Sequence, residues 1–175
     1  MVQTLSRSDR LTWNDKHMLE AILASKRSAD PNTQVGASII SSDNKTLGTG
    51  YNGFPNKVGT NVFSWNREGE DPLKTKYPFV VHAEKNAIYN SSSSVVGTTL
   101  YVTMYPCNEC AKDIIQSGIK KVVYLSNPYI DTWQIKASEQ LFLALDFPIL
   151  QHKWDKKEVV LSCLQEMMQL VNFLS

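Results

Sequence analysis

The chain has 175 residues, 42% hydrophobic and 20% charged, and its 18 Lys and Arg nearly balance 17 Asp and Glu for a formal net charge of +1. These values fit one globular domain spanning 1–175, which buries on the order of 70% of the surface its unfolded form exposes. They exclude the broad basic surface that nucleic acid or an anionic membrane requires.

The three cysteines are too few for a disulfide framework. No stretch approaches the roughly 18 apolar residues of a membrane span, and residues 1–13 carry no continuous apolar run of the signal-peptide type. A cytoplasmic protein in a reducing compartment is expected.

The elements follow in chain order. Trp13, Met18, Ala21, Ile22 and Ser25 recur at helical spacing, and Lys26-Arg27 supplies the charge favoured at a helix C-terminus, so a first helix is predicted over 13–26. After the turn residues Asp30-Pro31-Asn32, a β-rich run over 34–41 and a second strand over 46–51 flank the turn Asp43-Asn44-Lys45. Residues 54–79 show no period and contain three prolines, yet Trp65, Tyr77 and Phe79 argue for an ordered functional segment rather than a disordered one.

A short helix over 82–89 stops at Asn90 and a serine run. Then come a strand over 98–104, a helix over 108–117 ended by Gly118, a strand over 121–125, a helix over 132–145 and a weak strand over 147–150. That alternation implies right-handed crossovers and a partly parallel sheet, hence a three-layer α/β/α fold with a five-stranded mixed sheet and a core over about 13–150. In the tail, 155–174, Val160, Leu164, Met167, Val171 and Leu174 share one stripe beside Cys163. It reads as a helix docked on its own domain or on a neighbouring subunit, with Cys163 in the core.

The chemistry concentrates in two short runs, His82-Ala83-Glu84 and Pro106-Cys107-Asn108-Glu109-Cys110. Two thiolates and an imidazole suit zinc, and three protein ligands leave one tetrahedral position open, as in catalytic rather than structural sites. Cys107 and Cys110 would bind from a strand-to-helix junction, where the helix dipole favours thiolate. Glu84, two residues from His82, would serve as proton shuttle. A redox Cys-x-x-Cys pair and a four-ligand zinc knuckle are the rival readings of the cysteines. His17, on an amphipathic helix, and His152, beside Lys153, are expected at the surface or its boundary.

His-x-Glu followed by Pro-Cys-x-x-Cys is the signature of zinc deaminases. Together with Arg27-Ser28-x-Asp30-Pro31-Asn32-x-Gln34-Val35-Gly36-Ala37, Gly50-Tyr51-Asn52-Gly53-x-Pro55-Asn56 and Lys76-Tyr77-Pro78, the chain resembles the deoxycytidylate deaminases of the cytidine deaminase-like superfamily over about residues 13–150. The resemblance implies zinc-dependent hydrolysis of dCMP to dUMP and ammonia, supplying thymidylate synthesis. It implies His82, Cys107 and Cys110 as zinc ligands, Glu84 as the catalytic residue, and Ala83 and Val35-Gly36-Ala37 about the base.

Asn52 matches a position near sugar and phosphate, and Tyr129 a tyrosine near the substrate, although an aromatic there could equally be ordinary packing. Lys26, Arg27 and Ser28 are the residues expected at the 5′-phosphate, with simple complementation of a helix C-terminus as the alternative for the two cations. Family members are commonly hexamers, and several respond to dCTP with Mg2+ and to dTTP. Here the segment after Gly53 reads Lys57-Val58-Gly59-Thr60-Asn61 and departs from the regulated pattern. The rivals are a deaminase of dCTP, CMP or cytidine and a catalytically silent zinc-stabilised nucleotide-binding subunit.

Overall fold

A computed structural model describes residues 7–173. Helix α1 (Trp13–Ser25) begins at Thr12, whose hydroxyl accepts the Asp15 amide at 3.1 Å, the usual way of satisfying a helix's first free amides. Strands β1 (Gly36–Ile40) and β2 (Thr46–Tyr51) form the opening hairpin, with Asn44 at φ 63° in its turn. Next come α2 (Ala83–Tyr89), β3 (Thr99–Met104), α3 (Asn108–Gln116), β4 (Lys121–Ser126), α4 (Trp133–Leu143), β5 (Ile149–Gln151) and α5 (Lys157–Phe173).

The sheet order is β2-β1-β3-β4-β5. Both of β1's pairings are antiparallel, while β3, β4 and β5 run parallel. The expected mixed sheet is therefore present, with boundaries shifted by a few residues. Strand five starts at Ile149 rather than at 147, and a short 3-10 turn, Pro72–Lys74, was not expected.

Alternation along the strands sorts the core into two layers. Ala37, Ile39, Leu100, Val102 and Val122 face Ala83 and Ala87 of α2, Ile114 of α3, and Ile135 and Phe142 of α4. Ile40, Tyr101 and Val123 face Met18 and Ala21 of α1. Two glycines set how closely helices approach the sheet. A Cβ on Gly36 would fall 2.0 Å from the Ala21 carbonyl oxygen of α1, and one on Gly50 2.2 Å from the Ala87 nitrogen of α2.

Both expectations about the isolated histidines are corrected. His17 is 1% exposed, stacked on Trp13, tilted against Tyr101 and within reach of Glu20 and Asn44. His152 is buried with Nε2 3.4 Å from Asp15 Oδ1, because the chain after β5 passes back against α1. Asp15 also accepts the Asp155 and Lys156 amides, both at 3.2 Å, fixing where α5 begins. Beyond Val160 the α5 stripe does not dock on its own domain, which leaves the reading of a helix for a neighbouring subunit. Cys163 is half-buried rather than core, and Leu164, Met167 and Val171 are exposed. Leu174 lies outside the described residues.

The long segment 54–79 is ordered by its own aromatic cluster. Phe54 stacks on Trp65 at 4.1 Å and Phe63 on Phe79 at 3.9 Å. A buried ion pair from Lys76 to Asp30 ties it to the loop before β1. Burial would raise the Asp30 pKa, but Lys76 and the Asn32 and Thr33 amides outweigh it and hold the carboxyl below its ordinary value.

Breaking one partner of a buried pair leaves an uncompensated charge, so Lys76→Met should lower stability by about 3–5 kcal/mol, with Asp30→Asn/Lys76→Met recovering part of it in urea unfolding. The Asp30 contribution is complete above the unfolded carboxylate value of about 3.9 and is lost as pH falls through the lower folded value. The wild-type urea midpoint should therefore drop more steeply from pH 5 to pH 3 than that of the double variant; equal slopes would remove Asp30 from the acid transition.

Candidate active site

Two strand-to-helix junctions build the site. His82 is the N-cap of α2 and Cys107 the N-cap of α3, and neither side chain makes a capping hydrogen bond. Both are thereby free to point into a cleft at the carboxyl ends of β3 and β4, the usual ligand position in open α/β sheets. Cys110, one turn into α3, is fully buried. Its Sγ lies 3.3 Å from His82 Nδ1, and the Sγ of Cys107 lies 3.5 Å from the same nitrogen.

Those separations fit zinc. Ligand distances of about 2.1 Å to nitrogen and 2.3 Å to sulfur give tetrahedral edges of roughly 3.6 Å. Among the described residues this is the one group of three whose ligand atoms converge, all within 4.8 Å of one another.

The electrostatics favour a cation here. The Cys110 hydrogen bond, helped by His82, brings the Cys107 thiol down to about 4. The same bond and burial push Cys110 up. Two adjacent sulfurs cannot both ionise without positive charge between them, and a divalent metal supplies it. Beside them Glu84 is 4% exposed, and burial raises its pKa despite the neighbouring His82. A carboxyl raised in this way holds a proton more readily than a solvated one, as a proton shuttle requires.

The cleft has a volume of about 500 Å3, within the range of small-molecule sites. Its walls include His82, Ala83, Glu84, Cys107, Val35, Asn52 and Tyr129. Asn52 is held on every side: its amide donates to Asp30 Oδ2 and the Thr33 carbonyl, and its Oδ1 accepts the Val35 amide at 2.8 Å. Gly36 and Ala37 are buried in β1 and outside the lining, Gly36 packing against α1. Lys26 and Arg27 are exposed at the end of α1 and outside it as well, while Ser28 donates to the Asn52 carbonyl at 2.8 Å from behind the wall.

Several lining residues received no role from the sequence: Asp30, Arg67, Lys76, Tyr77 and Trp133. Asp30 read as turn chemistry, and Lys76-Tyr77 stood in a matching run without an assigned task. Arg67 lies in the aperiodic segment, where no pattern marks which way a side chain faces.

Comparison with known proteins places this geometry. The family model for the cytidine and deoxycytidylate deaminase zinc-binding region matches residues 11–126. The deoxycytidylate deaminase of Homo sapiens is 49% identical over 142 residues, 81% of this chain and 80% of that one. A probable deoxycytidylate deaminase of Drosophila melanogaster is 45% identical over 161 residues, 89% and 79%. The crystal structure of dCMP deaminase from cyanophage S-TIM5 in complex with dCMP and dUMP superposes with a TM-score of 0.62 at 35% identity, covering 78% of this chain and 94% of that one. With the match to the family model spanning most of the chain and the His82, Cys107 and Cys110 donors gathered at the helix starts, the chain belongs to the cytidine and deoxycytidylate deaminase family.

Proposed function

We propose that the protein catalyses the hydrolytic deamination of dCMP to dUMP and ammonia, supplying dUMP for thymidylate synthesis. The observation that carries this reading is the convergence of His82, Cys107 and Cys110 beside the buried carboxyl of Glu84 on the wall of one cleft. The named deoxycytidylate deaminases similar to this chain, and the dCMP- and dUMP-bound relative, support cytosine nucleotide as the substrate.

Zinc, when held by these three side chains, acts as a Lewis acid that lowers the pKa of water to about 7. Glu84 takes one proton from the attacking water and delivers it to the ring nitrogen beside the attacked carbon; it then takes the remaining hydroxyl proton of the adduct and passes it to the amino group, which leaves as ammonia while the carbon–oxygen bond becomes a carbonyl. Burial of Glu84 raises its proton affinity above that of a solvated carboxylate. The backbone at Ala83 and the side chain of Val35 bound the space for the pyrimidine, with Gly36 and Ala37 behind them in β1. Asn52, locked by Asp30 and Thr33, and Tyr129 face the sugar side, while Lys26, Arg27 and Ser28, expected at the phosphate, stand outside the cleft.

A cytoplasmic homo-oligomer, hexameric by resemblance, completes the reading. The exposed apolar stripe of α5 supports assembly, and no helix among the described residues is long and apolar enough to cross a membrane. The run Lys57-Val58-Gly59-Thr60-Asn61 departs from the pattern of the members regulated by a nucleotide with Mg2+.

An activity panel over dCMP, dCTP, CMP and deoxycytidine tests the reaction, with dCMP expected as the best substrate; no deamination of dCMP overturns it. Elemental analysis should find one zinc per chain in the purified protein and none in His82→Ala; unchanged metal in that variant sinks the ligand set. Glu84→Gln should keep zinc and dCMP affinity while turnover falls about 10²–10⁴-fold, the range lost with a proton-transfer group. Full activity in that variant would remove Glu84 from the chemistry.

A further inference from the structure

Resting on the deamination reading, we propose that Arg67, poised by Tyr77 and Tyr129, is the cation that engages the substrate's phosphate and so separates a nucleotide from its nucleoside. The cleft wall carries two lysine or arginine residues, Arg67 and Lys76. Lys76 is unsuited to a ligand. Its side chain is 9% exposed and its ammonium is committed to Asp30. Glu109, the lining acid nearest in sequence to the cysteines, is neutralised by Lys112 at 2.8 Å.

Arg67 has no such partner: among the described residues none of the ion pairs involves it. Its contacts are neutral phenols instead. The guanidinium lies 6.0 Å from the Tyr129 ring centroid, within cation–π range, and Nε reaches the Tyr77 hydroxyl at 3.5 Å.

This surround suits anion capture. Two aromatic contacts restrict the side chain without cancelling its charge, so less rotamer freedom remains to be lost when an anion arrives. The fork of a guanidinium matches phosphate oxygens in pairs, and the Tyr77 hydroxyl beside it can donate as well. The segment bearing Arg67 is itself fixed to the cleft, since Trp65 stacks on Phe54 and Lys76 is locked to Asp30. Lys26 and Arg27, outside the lining, have no comparable contacts among the described residues.

The test is calorimetric binding of dCMP and of deoxycytidine to zinc-loaded Glu84→Gln protein, with and without Arg67→Ala, Arg67→Lys or Arg27→Ala. Arg67 is exposed, so folding is not at stake, and circular dichroism melting checks it. Arg67→Ala should weaken dCMP by about 10- to 100-fold while deoxycytidine stays within about threefold, the span expected for one charge-assisted hydrogen-bonding group. Arg67→Lys should retain part of the preference.

Equal weakening of both ligands would make Arg67 a loop anchor and overturn the proposal. So would unchanged dCMP affinity, or a parent protein that binds both ligands alike. Failure of the wild-type protein to turn over dCMP that it binds through Arg67 would instead defeat the deamination reading and leave this one standing.

Discussion

The seating of α2 directly on β2 is the contact on which the rest of the site depends. With hydrogen at position 50, the helix backbone approaches the strand to a distance that any side chain would block, and Gly48 repeats the approach near the helix end, where a Cβ would meet the Ala87 carbonyl oxygen at 2.6 Å. A helix so placed carries its own first turn to a fixed height above the sheet. That turn is where the imidazole of His82 and the carboxyl of Glu84 begin. The cysteines arrive from the other direction, at the end of β3, and the antiparallel β1–β3 pairing sets the distance between the two deliveries. The metal-binding geometry is thus a property of the sheet as much as of the motif.

A second layer of control sits in the loops. Asp30 gathers the Asn32 and Thr33 amides, the Asn52 carboxamide and the Lys76 ammonium around one carboxylate. Three separate stretches, the loop before β1, the end of β2 and the long segment after it, therefore share one buried charge. Such a network is costly to desolvate, and its value lies in holding Asn52 in one orientation rather than in net stability.

Much of the architecture was legible in the sequence because strands and helices alternate from Thr99 onward with clear turn residues between them. The ligand set could be proposed because soft donors are scarce and sit at helix starts. Three things could not be read. A lysine is ordinarily solvent-exposed, so nothing in Lys76 announced a buried ammonium. The direction of Arg67 depends on how an aperiodic segment folds over its own aromatic residues. The burial of His152 follows from the return of the chain against α1 after β5, and that of His17 from the packing of α1 on Tyr101 of β3 and Asn44 of the hairpin turn, long-range events with no local pattern.

The two N-cap positions carry a consequence for stability engineering. Ser, Thr, Asp or Asn at a helix N-cap is worth about 0.5–2 kcal/mol over a side chain that does not cap. His82 and Cys107 occupy those positions and cap nothing. A programme that ranked substitutions by folding free energy alone would favour aspartate or serine at both, and each gain would delete one of the three side chains proposed to hold the metal. The helix starts are held below their attainable stability so that the site can exist, a trade between robustness and activity located at two backbone positions.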